Sequence, residues 1–175
     1  MLSGIILESQ VRFAMYYLDI FKALSKHKVR YLVAGGVAMN LHGIPRMTAD
    51  LDIMLDLSRA NLGRFIKALG ELGYKPKAPV DIRDLLDPAK RKLWSDTKNM
   101  VVFTLLNPAL PYQELDVFIK NPLEFGGAYK KRTKCRAGGL FIPVVSIDDL
   151  IVMKEAAGRK QDKSDIPALK KLDRL

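Results

Sequence analysis

Tyr31-Leu32-Val33-Ala34-Gly35-Gly36, followed by Ala49-Asp50-Leu51-Asp52-Ile53-Met54-Leu55, is the stretch that decides the fold. Its first four residues form a short apolar run of the kind that fills a buried strand, and the two glycines stop that run in a tight turn. A short helix, Val37 to His42, is expected next. Gly43 is placed to end it in a left-handed conformation, and Pro45 keeps the chain from resuming it. From Ala49 to Leu55 the pattern has period two. Asp50, Asp52 and Met54 alternate with Leu51, Ile53 and Leu55, which predicts a strand with two different faces.

The flanking sequence predicts further strands and helices around this unit. Upstream, Val11, Met15, Leu18, Phe21 and Leu24 recur at the spacing of an amphipathic helix over about residues 9–27. Downstream, Ser58 is a candidate N-cap for a helix with the stripe Leu62, Phe65, Ile66, Leu69 and Leu72, closed by Gly73. Pro76, Pro79 and Pro88 interrupt the next segment, where Asp87-Pro88 reads as the cap and first residue of a basic helical turn ending near Trp94. Met100 to Leu106 and Glu114 to Ile119 read as paired strands around a loop holding Asn107, Pro108 and Pro111. Lys130 to Arg136 and Leu140 to Val145 read as a second hairpin around Gly138-Gly139. Ser146-Ile147-Asp148-Asp149 has the spacing that opens a helix, and a helical part over about 146–175 closes the chain. No internal repeat, low-complexity tract or long linker divides the sequence, so one mixed α/β (α+β) domain over 1–175 is expected.

Composition bounds the function. The chain has 175 residues, 49% hydrophobic and 27% charged, which excludes a disordered tail protein. Lys and Arg number 29 against 19 Asp and Glu, and the net charge of +10 points to a polyanionic partner, nucleic acid or nucleotide phosphates. A single cysteine, Cys135, cannot form an internal disulfide, and a reducing cytoplasm fits best. Glu8, Arg12, Asp19 and Lys22 interrupt every N-terminal window long enough to span a bilayer, so no membrane association is expected.

Asp50 and Asp52, two apart on a strand, leave the same face with Cα atoms roughly 6.5 Å apart. An Asp-x-Asp pair by itself is commonly a solvated edge. Here Leu51, Ile53 and Leu55 bury the opposite face, and two like charges side by side are costly unless a cation compensates. Hard oxygen ligands suit Mg²⁺, and Asp116 in Leu115-Asp116-Val117 offers a third carboxylate from a second strand. Gly35-Gly36 ahead of a short helix offers backbone N–H groups to a phosphate. Lys154 emerges beside the apolar stripe of its helix and needs an anionic partner or a route to solvent along the helix edge. Arg46 and Thr48 precede the Asp50 strand and either bind phosphate or hold their loop. His42 reads as a helix-end cap, and Arg159 and Asp165 as a solvated pair. Trp94, among Lys90, Arg91 and Lys92, is read as packing, with base stacking as the alternative. With a nucleic acid as the polyanionic partner, that cluster and the run Lys130, Lys131, Arg132, Lys134 and Arg136 would be phosphate tracks.

The order strand, Gly35-Gly36, short helix, Arg46-x-Thr48-x-Asp50-Leu51-Asp52 and a later Leu115-Asp116-Val117 resembles the polymerase-β-like nucleotidyltransferase superfamily. The ending Lys154-x-x-Ala157-x-Arg159-x-x-Asp162-x-x-Asp165-Ile166 is similar to the branch containing the AbiEii toxins. The resemblance implies a mixed sheet with helices packed on it. It also implies Mg²⁺, or Mn²⁺, on Asp50 and Asp52, with Asp116 as base or further metal ligand. The expected reaction is transfer of a nucleoside monophosphate from a nucleoside triphosphate to an acceptor hydroxyl. Gly35, Gly36, Arg46, Thr48, Lys154 and Arg159 are then the expected nucleotide-binding residues, with Lys154 also in the catalytic set. A tRNA acceptor and an antitoxin partner belong to the same implication, and a catalytically inactive nucleotide- or RNA-binding module is the alternative. Many relatives carry Ser where this chain has Gly36.

Overall fold

The computed structural model describes residues 15–173. In chain order its elements are α1 (Leu18–Lys26), β1 (Tyr31–Ala34), α2 (Gly35–Leu41), β2 (Asp50–Leu55), α3 (Arg59–Glu71), β3 (Lys75–Pro76), a 3₁₀ turn (Ile82–Leu86), α4 (Pro88–Lys98), β4 (Val102–Asn107), β5 (Leu110–Phe118), α5 (Phe125–Lys131), β6 (Thr133–Ala137), β7 (Leu140–Val144), α6 (Ile147–Ala157) and α7 (Asp162–Leu172). The seven strands form one mixed sheet in the order β3-β4-β5-β2-β1-β7-β6. β1 runs antiparallel to β2, whereas β2 with β5 and β1 with β7 are parallel.

The central strands lie where the apolar pattern put them. All four residues of β1 are buried, and on β2 the inward set Leu51, Ile53 and Leu55 is fully excluded from water. The α3 stripe joins that core through Leu62, Phe65 and Leu69, and α1 contributes Ile20, Phe21 and Leu24. Asn61, fully buried on α3, is satisfied by the backbone of Arg30 and Asp56, which locks the entry of β1 to the exit of β2.

Several boundaries differ from the sequence expectations. The N-terminal helix is seen as α1, and residues 9–14 of its expected span lie outside the described residues, as do 174–175 of the last helix. The helix after β1 starts at Gly35, so the glycines are its first residues rather than a turn before it. β5 starts at Leu110 with Pro111 inside it, where the strand is still exposed, and a bulge at Leu106/Asn107 absorbs the irregularity. Lys130 and Lys131 belong to α5 and not to the second hairpin, which starts at Thr133. That helix was hidden by its glycines, whose low helix propensity is offset by Glu124, the carboxylate of which accepts from the N–H groups of Gly126 and Gly127 at 2.7 and 2.5 Å. Trp94 is buried and stacked on Phe103 at 5.5 Å between ring centres, a packing role.

Candidate active site

The parallel pairing of β2 with β5 sets Asp50 opposite Glu114 and Asp52 opposite Asp116. Because residues paired across a sheet share a face, Asp50, Asp52 and Asp116 emerge together, each offering a carboxylate oxygen, all within 4.8 Å of one another. Thr104, opposite Asp116 on β4, donates its hydroxyl to Asp116 Oδ1 at 2.6 Å. Thr48 donates to Asp50 Oδ1 at 3.0 Å. Burial, with the charges of Asp50 and Asp116 beside it, pushes the Asp52 carboxyl up to about 7, against the opposing pull of Arg159 and Lys154. Burial also raises Asp116, with the Thr104 hydrogen bond opposing and Asp50 adding to the rise. Three oxygen-only side chains short of positive charge suit a hard divalent cation.

The glycine turn is pressed against this cluster. Gly35 has φ of +63°, and a Cβ there would fall 1.9 Å from Asp52 Oδ2. A Cβ on Gly36 would fall 2.7 Å from both Cβ and Oγ1 of Thr48. Backbone alone fits at either position, so the first turn of α2 touches the carboxylates with no side chain between.

Beside the cluster opens a cavity of about 240 Å³. Gly35, Asp52, Lys154, Arg159 and Asp162 form its polar wall, and Val101, Phe118, Leu150 and Met153 are among its apolar lining. Lys154 is buried, and its Nζ donates to Asp165 Oδ2 at 2.7 Å and to Asp162 Oδ1 at 3.2 Å. Its anionic partner is therefore a pair of carboxylates from α7. Asp165 is buried too and pairs with Arg46 and Lys154, not with Arg159 as its spacing suggested. Arg46 donates to Asp165 Oδ2 at 3.1 Å and to Gln161 Oε1 at 2.8 Å. The loop it belongs to is clasped by Asn40, which accepts from Arg46 N–H at 2.7 Å and donates to Arg46 C=O at 2.8 Å. Arg159 is exposed, and its guanidinium makes no hydrogen bond among the described residues. His42 follows the end of α2 and bonds the carbonyl of Val145 at 2.8 Å.

Asn40, Thr104 and the apolar cavity wall were not anticipated. Thr104 is legible in retrospect, since the β4–β5 hairpin register sets it across from Asp116. Asn40 carries no comparable signal, because its partner is backbone.

A mixed sheet with a glycine turn at its centre and a carboxylate trio on paired strands defines the nucleotidyltransferase fold. The chain belongs to the DUF6036 family, nucleotidyltransferases of unknown function, whose profile matches residues 17–175. Among solved structures it is similar to the lincosamide antibiotic adenylyltransferase LnuA in its lincomycin-bound form, with 19% identity and a TM-score of 0.58 over 92% of this chain and 96% of that one. A Thermotoga maritima protein described as a nucleotidyltransferase is similar at 14% identity and TM-score 0.57, covering 94% of each chain. ANT(2")-Ia in complex with adenylyl-2"-tobramycin is similar at 12% identity and TM-score 0.50, over 90% of this chain and 97% of that one. Comparison with curated proteins finds no match. No helix among the described residues is long and apolar enough to cross a membrane.

Proposed function

We propose that the chain moves a nucleoside monophosphate from a nucleoside triphosphate to an acceptor hydroxyl, with Mg²⁺, or Mn²⁺ in its place, held by Asp50, Asp52 and Asp116. The observation that carries this reading is the convergence of three carboxylates against a side-chain-free glycine turn. A divalent cation bound there supplies charge neutralisation and polarisation for phosphoryl transfer. Asp116 accepts the proton of the acceptor hydroxyl as that oxygen attacks the α-phosphorus, the bond to the bridging oxygen breaks, and pyrophosphate leaves. The N–H groups of Gly35 and Gly36 and the uncommitted guanidinium of Arg159 meet the triphosphate, and the apolar wall of the cavity takes the base. Lys154 and Arg46 act from behind, through Asp162 and Asp165, to keep the loop carrying Thr48 in place.

RNA, tRNA in particular, is the acceptor class favoured by the net charge of +10 and by the AbiEii-like ending from Lys154 to Ile166, a setting in which an antitoxin protein is the expected partner. A small hydroxyl-bearing molecule is the second reading, favoured by the antibiotic substrates named for LnuA and ANT(2")-Ia. An inactive binding module would not need three carboxylates that repel polyanions.

The test offers each of four α-labelled nucleoside triphosphates with Mg²⁺ to total RNA, to the protein itself and to hydroxyl-bearing small molecules. Label entering any acceptor with wild type and absent with folded Asp52→Ala is the expected result. Equal labelling by the two proteins sinks the assignment, and label in the small molecules alone replaces the RNA reading.

A further inference from the structure

The two cation runs of the sequence divide sharply once folded. On α4, Lys90 is paired with Asp84 and Lys92 with Asp96, while Arg91 is buried with its Nη1 donating to the Leu85 carbonyl. At the end of α5, Lys131 is paired with Asp149, and the Arg132 guanidinium lies 4.0 Å from the centre of the Tyr129 ring. Lys130 on α5 is exposed with no ion pair or hydrogen bond among the described residues, and so are Lys134 and Arg136 on β6.

These two cations sit two residues apart on β6, the outermost strand, so they leave one face of the hairpin about 6.7 Å apart. Opposite them on β7 stand Pro143 and Phe141, and Phe141, directly across from Arg136, is 69% exposed. The register carries this face back to the carboxylates. Asp52 pairs with Ala34, Val33 pairs with Val144, and Val144 pairs with Thr133. Their sequence neighbours Pro143 and Lys134, and with them Phe141 and Arg136, therefore belong to the sheet face that bears Asp50, Asp52 and Asp116. β6 lies three strand spacings from β2, and Arg136 and Phe141 fall level with Asp56, four residues along from Asp52. The surface therefore stands roughly 15–20 Å from the carboxylates, with the covered Leu32 and Met54 between.

We infer that this face of the β6–β7 hairpin binds the acceptor as single-stranded RNA, with Lys134 and Arg136 on successive phosphates and Phe141 stacked on a base. The inference rests on the RNA reading of the acceptor given above. Free cations beside an exposed ring on one sheet face hold single strands without regard to sequence, because the charges follow the backbone while the ring takes whichever base lies over it. The interval between the two cations matches that between consecutive phosphates of an extended strand. A second copy of this chain is a poor occupant, since pairing β6 edges across a two-fold axis sets like charges against each other.

The experiment is fluorescence anisotropy with a fluorescein-labelled single-stranded RNA of about 12 nucleotides and mixed sequence, without nucleoside triphosphate, so that binding is read apart from transfer. Phe141→Ala is expected to weaken binding at least about fivefold. Lys134→Ala/Arg136→Ala is expected to weaken it and to lower the slope of log affinity against log salt by about 1.4. Thermal unfolding should be unchanged in both variants, whose substituted side chains are exposed. Wild-type affinity in the triple variant overturns the inference, and so does preference for a glutamate-rich peptide over the RNA. Transfer to RNA undiminished in the triple variant removes the surface and leaves the activity. Loss of RNA binding in the variants, with no transfer by wild type to any acceptor, removes the activity and leaves the surface.

Discussion

Gly36 stands where many relatives of the superfamily carry serine, and the structure gives a steric reason. The space a serine side chain would need is already filled by Thr48, whose hydroxyl is turned toward Asp50 instead. Positions 36 and 48 thus share one small volume, and a larger residue at one requires a smaller one at the other. The Asp52 carboxyl is raised to about 7 by burial and by its two acidic neighbours. A folded-state value above the ordinary 3.8 means that the native state holds a proton which the unfolded chain has released. Metal-free stability therefore falls as pH rises from about 4 to 7 and stays low above that. Asp52→Asn, which removes the charge, is expected to unfold at a higher temperature than wild type in EDTA at pH 8. That advantage should shrink as the pH is lowered toward 4, and an advantage independent of pH would mean that packing, not ionisation, separates the two proteins.

Among elements, α6 and α7 are joined by charge as much as by apolar packing. Lys154 reaches out of α6 to two buried carboxylates of α7, one of which also receives Arg46 from the loop before β2. Removing the lysine leaves two buried acids with one cation between them, Arg46 on Asp165, and Asp162 with only the Arg159 backbone N–H, whereas removing the partly exposed arginine leaves Asp165 still paired. Lys154→Met is therefore expected to cost about 3–5 kcal/mol and Arg46→Ala distinctly less, read by urea unfolding. Equal losses would show that Lys154 is not the hub. This network also marks how far the sequence could be read. The position of Lys154 beside an apolar stripe left two outcomes, an anionic partner or a route to solvent along the helix edge, and the structure takes the first. The identity of the anion depended on how α7 folds back, a tertiary fact that helical periodicity does not encode. The short helix α5 escaped for the opposite reason: its glycines conceal a helix that the Glu124 cap, the Phe125–Tyr129 stack and the Lys131–Asp149 pair support.

At the scale of the whole molecule, β1, β2, β5 and the carboxylate trio were legible because alternation on a strand and burial of its neighbours are local signals with a single geometric outcome. The strand order was not, since the position of β7 beside β1 is set by a chain reversal more than a hundred residues later. That junction is narrow. β7 meets β1 at one register pair, Val33 with Val144, supplemented by the Val145 N–H donating to the Val33 carbonyl at 3.0 Å, whereas β2 and β5 align over four pairs. The sheet is thus continuous in topology but uneven in stiffness, and the outer hairpin can open before the centre does. Hydrogen exchange should show the amides of β6 and β7 exchanging sooner than those of β2 and β5, and uniform protection across all four strands would contradict this. A hairpin hung on so short a seam is compliant, so the outer strands can tilt while the carboxylates stay in register.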